Sequence, residues 1–296
     1  VVSFGRRLAR VFTFVFIVAT SAACGTTSHN MAGGETRLAF VAEPTQTATR
    51  DAGATPPLSF GGLAGRTVTV DSVSDLRLRK HEVALTFDDG PVPGRTHAVL
   101  DALDKAGVKA TFLMVGQMAH AYPRLVREVA MRGHTIGTHT QSHANLTQVS
   151  TPNAEAQINS GMKNVSDALV PTRYRAAPFF RFPYLASTPR QRRQLAARGI
   201  TVIDADIDSK DYFQSSTEQL RQRTLARVEA RGSGIILMHD IHARTGKMLP
   251  ALLADLKERG YKVVRLVPGG RAENLLVSSL THNMSAGYPA PKTMRN

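Results

Sequence analysis

Between about residue 66 and residue 267, short apolar runs of strand length alternate with longer runs whose apolar positions recur every three or four residues. Val83-Ala84-Leu85-Thr86-Phe87 predicts a strand. The stretch 95–106 predicts a helix, with Val99, Leu100 and Leu103 on one side and Gly107 at its end. The alternation continues with strand 108–115, helix 122–131, strand 134–138, helix 151–169, a strand leading into Phe180, helix 188–198 and strand 201–207. Helix 217–230, strand 234–238, helix 249–259 and strand 261–267 complete it. Pro123 and Pro152 suit a first helical turn, where a missing N–H costs nothing, and Thr151 suits a cap.

Such β/α alternation implies parallel strands joined by right-handed crossovers. About seven units predict an α/β fold closed as a barrel or barrel-like sheet rather than an open three-layer one. The flanks differ. Residues 1–23 run basic (Arg6, Arg7, Arg10), then apolar, then small (Ser21, Ala22, Ala23), the order of a secretory signal peptide. Its apolar part is shorter than the ~20 residues of a membrane-spanning helix. Residues 24–65, rich in Thr, Ala, Gly and Pro, read as a flexible linker, 66–268 as the folded domain, and 269–296 as a C-terminal tail.

Composition narrows the picture. Of 296 residues 42% are apolar and 20% charged, which suits a packed core. The net charge is +14; loss of residues 1–23 removes three arginines and no acids, leaving +11. A basic surface suits an anionic partner, but no zinc-finger spacing or aromatic-basic repeat points to nucleic acid. The single cysteine, Cys24, excludes an intramolecular disulfide and stands where a bacterial lipoprotein is cleaved and lipidated, although Ser21 replaces the usual leucine three residues earlier. The chain is therefore expected to be exported to the cell envelope, as a lipoprotein or a secreted protein, touching membrane only through its N-terminus. Gly-x-Ser-x-Gly, a dinucleotide glycine motif and a Walker loop are all absent, which disfavours a serine nucleophile and phosphate-loop chemistry.

In a parallel α/β fold reactive groups collect at the C-terminal ends of strands. Asp88-Asp89 follows the strand at 83–87; adjacent carboxylates can act as base and metal ligand, or simply make an acidic turn. His139 and His143 follow strand 134–138, and their spacing of four would put both imidazoles on one face of a helical turn. With Asp89 they would make three protein ligands, leaving positions open for water and substrate. Arg181 follows Phe180 and could hold a carboxylate by two hydrogen bonds. Asp204, Asp206, Asp208 and Asp211 follow strand 201–207, mostly as ordinary turn acids. His239 ends an apolar strand, a good place for a proton donor, although a core histidine is the commoner case.

Five stretches together, Thr86-Phe87-Asp88-Asp89-Gly90-Pro91, Gly137-Thr138-His139-Thr140-Gln141-Ser142-His143, Arg181-Phe182-Pro183-Tyr184, Asp208-Ser209-Lys210-Asp211-Tyr212 and Leu237-Met238-His239-Asp240-Ile241-His242, resemble carbohydrate esterase family 4. These are the NodB-type polysaccharide deacetylases, and the likeness covers residues 82–267. The resemblance implies a distorted (β/α) barrel and a divalent metal, expected to be Zn²⁺ with Co²⁺ or another ion as alternative, held by Asp89, His139 and His143. It implies Asp88 as general base steered by Arg181, and His239 as general acid supported by Asp211. It further implies that the Tyr184 N–H holds the oxyanion, with Leu237 lining the acetyl-methyl pocket. Tyr212 stands where the family usually has tryptophan, and the chain has no tryptophan at all. The expected substrate is acetylated wall polysaccharide, peptidoglycan first, with chitin-like or poly-N-acetylglucosamine oligomers, acetyl-xylan, or non-catalytic wall binding as alternatives.

Overall fold

The computed structural model describes residues 62 to 270. The expected signal peptide, Cys24, nearly all of the expected linker and nearly all of the expected tail lie outside the described residues. Within them the order is β1 (Ala64–Val70), β2 (Glu82–Asp88), α1 (Arg95–Lys105), β3 (Thr111–Met114), α2 (Gly116–Ala121), α3 (Pro123–Met131), β4 (Thr135–Thr138) and α4 (Thr151–Leu169). There follow β5 (Phe179–Phe180), α5 (Pro189–Ala197), β6 (Thr201–Val202), β7 (Ile207–Asp208), α6 (Thr217–Arg231), β8 (Gly234–His239), α7 (Ala243–Glu258) and β9 (Lys262–Pro268).

The strand pairs are parallel. From β8 the ladder runs through β2, β3, β4 and β5 to β6, and β7 pairs back onto β8. Since β6 and β7 are two parts of the single segment 201–208, the ring closes through the chain itself. This is the distorted barrel that was expected. Period-two alternation sorts the side chains. Val83, Leu85 and Phe87 pack into the layer shared with the helices, together with Val99, Leu103, Leu249 and Leu252. Ala84, Leu113, Phe179, Ile203 and Ile235 point the other way and meet Val68, Val70, Val264 and Leu266 of β1 and β9. The interior is thus filled, and the strand ends are left to carry chemistry.

Five features depart from the expected pattern. β1 has no predicted counterpart and begins two residues inside the stretch read as linker. α2 is likewise unanticipated, and strand 201–207 breaks at residues 203–206. α4 is capped by Ser150, so Pro152 is its second residue. α7 starts at Ala243, well before 249, and carries Pro250 inside it. Gly246 and Pro250 disfavour helix locally, but burial of Met248, Leu249, Leu252 and Leu253 outweighs that cost.

Candidate active site

β2 delivers Asp88 at its last position, sealed from solvent, and Asp89 just beyond it in a left-handed turn (φ 78°). Asp240, at the end of the neighbouring β8, fixes that turn. Its carboxylate accepts the Gly90 N–H at 3.1 Å and the Thr96 hydroxyl at 2.6 Å, and Thr96 Oγ1 in turn accepts the Val92 N–H at 2.7 Å. A Cβ on residue 90 would run into the Asp240 carboxylate, so only glycine fits there. Burial pushes the Asp240 carboxyl up to about 7, against the hydrogen bonds that favour its charge.

β4 ends at Thr138 and presents His139 and His143, whose rings lie 5.0 Å apart. The connection is not the helical turn that their spacing suggested: Thr140 (φ 67°) and His143 (φ 59°) are left-handed. The first N–H groups of α2 hold this turn, with Gly116 donating to Thr140 O and Gln117 to Gln141 O, each at 2.9 Å. On its other side α4 approaches so closely that a Cβ at Gly161 would sit 2.5 Å from the Thr140 carbonyl.

Three lone-pair atoms converge here. Asp89 Oδ1 lies 3.6 Å from His139 Nε2 and 3.5 Å from His143 Nε2. It is buried without a hydrogen-bond partner among the described residues, a costly condition that a cation would relieve. His139 is sealed, and burial holds its imidazole below the ordinary value despite Asp88 and Asp89. Its Nδ1 meets Arg181 O at 2.7 Å, which makes Nδ1 the donor and leaves the Nε2 lone pair facing Asp89. Two imidazoles and one carboxylate therefore suit a divalent ion.

Arg181 follows β5 and is fully buried. Its guanidinium donates to Asp88 Oδ1 (2.7 Å), Thr86 Oγ1 (2.8 Å), Ile203 O (2.8 Å) and Asp204 O (3.2 Å). Across the cavity, His239 Nδ1 meets Asp211 Oδ1 at 2.6 Å, and Asp211 Oδ2 accepts the His239 N–H and the Thr245 hydroxyl. Burial alone would lower His239, but Asp211, with Asp88 and Asp89, outweighs it and pushes the imidazole up to about 9. Burial raises Asp211, yet the hydrogen bonds from His239 and Thr245 and the imidazolium charge leave it below its ordinary value.

These groups border a cavity of about 440 Å³, lined also by Tyr184, Tyr212 and Leu237. Tyr184 is left-handed (φ 59°) and 68% exposed, and its N–H has no partner among the described residues. Tyr212 donates to Asp208 Oδ2 at 2.7 Å and stands edge-on to His239; burial and Asp208 push its phenol up to about 12. Thus all ten expected residues gather, with Arg181 and Asp211 sealed behind the wall. Asp204 and Asp206 do not join them and instead pair with Arg192 and Arg231. The supporting roles of Thr86, Thr96, Asp240 and Thr245 were not anticipated: Thr86 and Asp240 stand inside the family-like stretches but carried no expected role, and only tertiary burial distinguishes Thr96 and Thr245 from ordinary polar residues. A second, more open cavity of about 870 Å³ beside α6 contains none of the ten.

Residues 75–203 match the model of the polysaccharide deacetylase family. The peptidoglycan-N-acetylglucosamine deacetylase PgdA of Listeria monocytogenes is 34% identical over 67% of this chain and 41% of its own length. The chain thus spans about two fifths of that relative. A chitin deacetylase of Colletotrichum lindemuthianum is 33% identical over 62% of this chain and 76% of its own length. The family 4 carbohydrate esterase of Streptomyces lividans, solved in complex with acetate, superposes with a TM-score of 0.55 at 31% identity, covering 62% of this chain and 91% of that one. On this likeness and fold, the chain belongs to the NodB-type polysaccharide deacetylases, carbohydrate esterase family 4.

Proposed function

We propose that residues 66–268 form a metal-dependent deacetylase that removes N-acetyl groups from wall polysaccharide, peptidoglycan above all. The observation that carries this reading is the convergence, in one cavity, of the Asp89-His139-His143 cluster with two opposed proton-handling pairs, Arg181–Asp88 and Asp211–His239. Asp89, His139 and His143 hold a divalent ion, Zn²⁺ by donor type. When bound, that ion supplies Lewis acidity to the acetyl carbonyl.

The chain's own groups do the rest. Arg181 engages Asp88 Oδ1 and leaves Oδ2 to accept a proton from the attacking water. The free N–H of Tyr184 donates to the oxyanion; losing such a donor typically costs ~3 kcal/mol. Asp211 fixes His239 by Nδ1, so Nε2 delivers the proton to the leaving nitrogen, a poor leaving group without it. Leu237 offers the acetyl methyl an apolar wall, and Tyr212 offers the sugar ring an aromatic one.

Acetate release from purified peptidoglycan and from N-acetylglucosamine oligomers, with chelator and then with metal restored, tests this. Chelator-sensitive release from peptidoglycan is expected; no release by folded, metal-loaded protein overturns it. Chitin-like oligomers are the second reading, favoured by the greater share of the fungal chitin deacetylase that the chain covers. Export to the envelope through residues 1–23, with lipid on Cys24, accompanies the proposal. Cys24→Ala protein that still partitions into detergent like wild type would exclude the lipid.

A further inference from the structure

We propose that Asp211, His239 and His242 form a second divalent-cation site, through which excess zinc silences the acid side of the chemistry. The three residues each offer a ligand atom, all within 4.8 Å of one another, and none belongs to the Asp89-His139-His143 set. Two imidazoles and a carboxylate again form a donor set that zinc accepts. His242 stands at the start of α7 on the cavity's edge, its ring centroid 5.7 Å from that of His239. Among the described residues its imidazole makes no hydrogen bond or ion pair, only the edge contact with the His239 ring, and the proton-handling chemistry leaves it unused.

The ion must displace the proton shared by Asp211 Oδ1 and His239 Nδ1, which now lie 2.6 Å apart. Around a tetrahedral zinc with bonds of ~2.0–2.1 Å, ligand atoms stand about 3.3 Å apart, so the pair has to open by several tenths of an ångström. Asp211 is held on its other oxygen by Thr245 and the His239 N–H, so the His239 ring makes the movement. That cost makes this site the weaker of the two. One Zn²⁺ enters and the Nδ1 proton leaves to solvent; the proton left on Nε2 then belongs to a neutral, zinc-bound imidazole instead of an imidazolium, too weak an acid to protonate the leaving nitrogen.

The test is zinc binding by the full chain, counted by equilibrium dialysis with zinc alone, beside acetate release over a zinc series. The count stands on its own, whereas the inhibition arm rests on the proposed role of His239. Wild type is expected to take up a second, weaker equivalent and to lose activity as that equivalent binds. His242→Gln should lack the weaker equivalent, keep its activity at limiting zinc and resist excess zinc. Asp89→Asn should lose the tighter equivalent only, which separates a failure of the first site from a failure of this one. A weaker equivalent and an inhibition curve both unchanged in His242→Gln would overturn the proposal.

Discussion

Arg181 Nη1 donates to Asp88 Oδ1 at 2.7 Å, with both side chains closed to solvent. The pair cannot be broken cheaply, because removing one partner leaves a buried charge uncompensated, typically at 3–5 kcal/mol. Arg181→Met should therefore lower thermal stability and activity together. Asp88→Asn keeps the volume and one acceptor for Arg181 but removes the proton acceptor. It should lose roughly 10²–10⁴-fold in kcat with much less loss of stability. A kcat within a few-fold of wild type in Asp88→Asn would remove Asp88 from the chemistry.

The Asp211–His239 pair ties stability to pH. The folded protein holds the His239 proton more tightly (about 9) than the unfolded chain does (6.5). Its contribution is complete below about pH 6.5 and is lost as pH rises through about 9, on the order of 3 kcal/mol. Denaturant unfolding of chelated wild type should show this alkaline decline, and Asp211→Asn should flatten it.

His134 titrates with the opposite sign. Its buried Nδ1 accepts the Ala110 N–H at 3.1 Å, its ring meets Phe112 edge-on, and burial pushes it down to about 4. The unfolded chain takes up the proton first, so stability falls as pH drops from about 6.5 to about 4, again by about 3 kcal/mol. His134→Leu should lose that acid slope; an unchanged slope would place its origin elsewhere.

Asp240 holds the turn that carries Asp89. Asp240→Ala strands the Gly90 N–H and the Thr96 hydroxyl in a dry interior, at roughly 1–3 kcal/mol for each group left unpaired. The variant should melt earlier and retain less metal after dialysis. Equal melting temperature and metal content would show that the turn stands without it.

Gly161 lets α4 lie on the turn between His139 and His143. Gly161→Ala improves helix propensity by up to ~1 kcal/mol yet should destabilise, because the methyl group displaces the Thr140 carbonyl. Metal retention should fall with it, as measured by dialysis; a stabilised, fully loaded variant would contradict the close contact.

Much of this was legible in the chain itself. The alternation of strand and helix patterns announced parallel β/α units, and the span 151–169 emerged as α4 unaltered, because long periodic segments carry their own signal. The catalytic candidates were readable because each follows a strand, and parallel strands bring their C-terminal ends to one side. Local signals failed where burial overruled them. Gly246 and Pro250 hid the first turns of α7, and the two-residue strands β5, β6 and β7 are too short to carry a period.

The sequence by itself determined the element types, the ring of parallel strands and the identity of the groups at the strand ends, since these depend on periodicity and residue chemistry along the chain. Only the tertiary structure decided which oxygen of Asp88 is taken by Arg181, which nitrogen of His139 is left free, and that Asp240 holds Gly90. It also decided that His239 holds its proton while His134 does not. Hydrogen-bond partners and desolvation are set by residues far apart in sequence, and no local pattern encodes that distance.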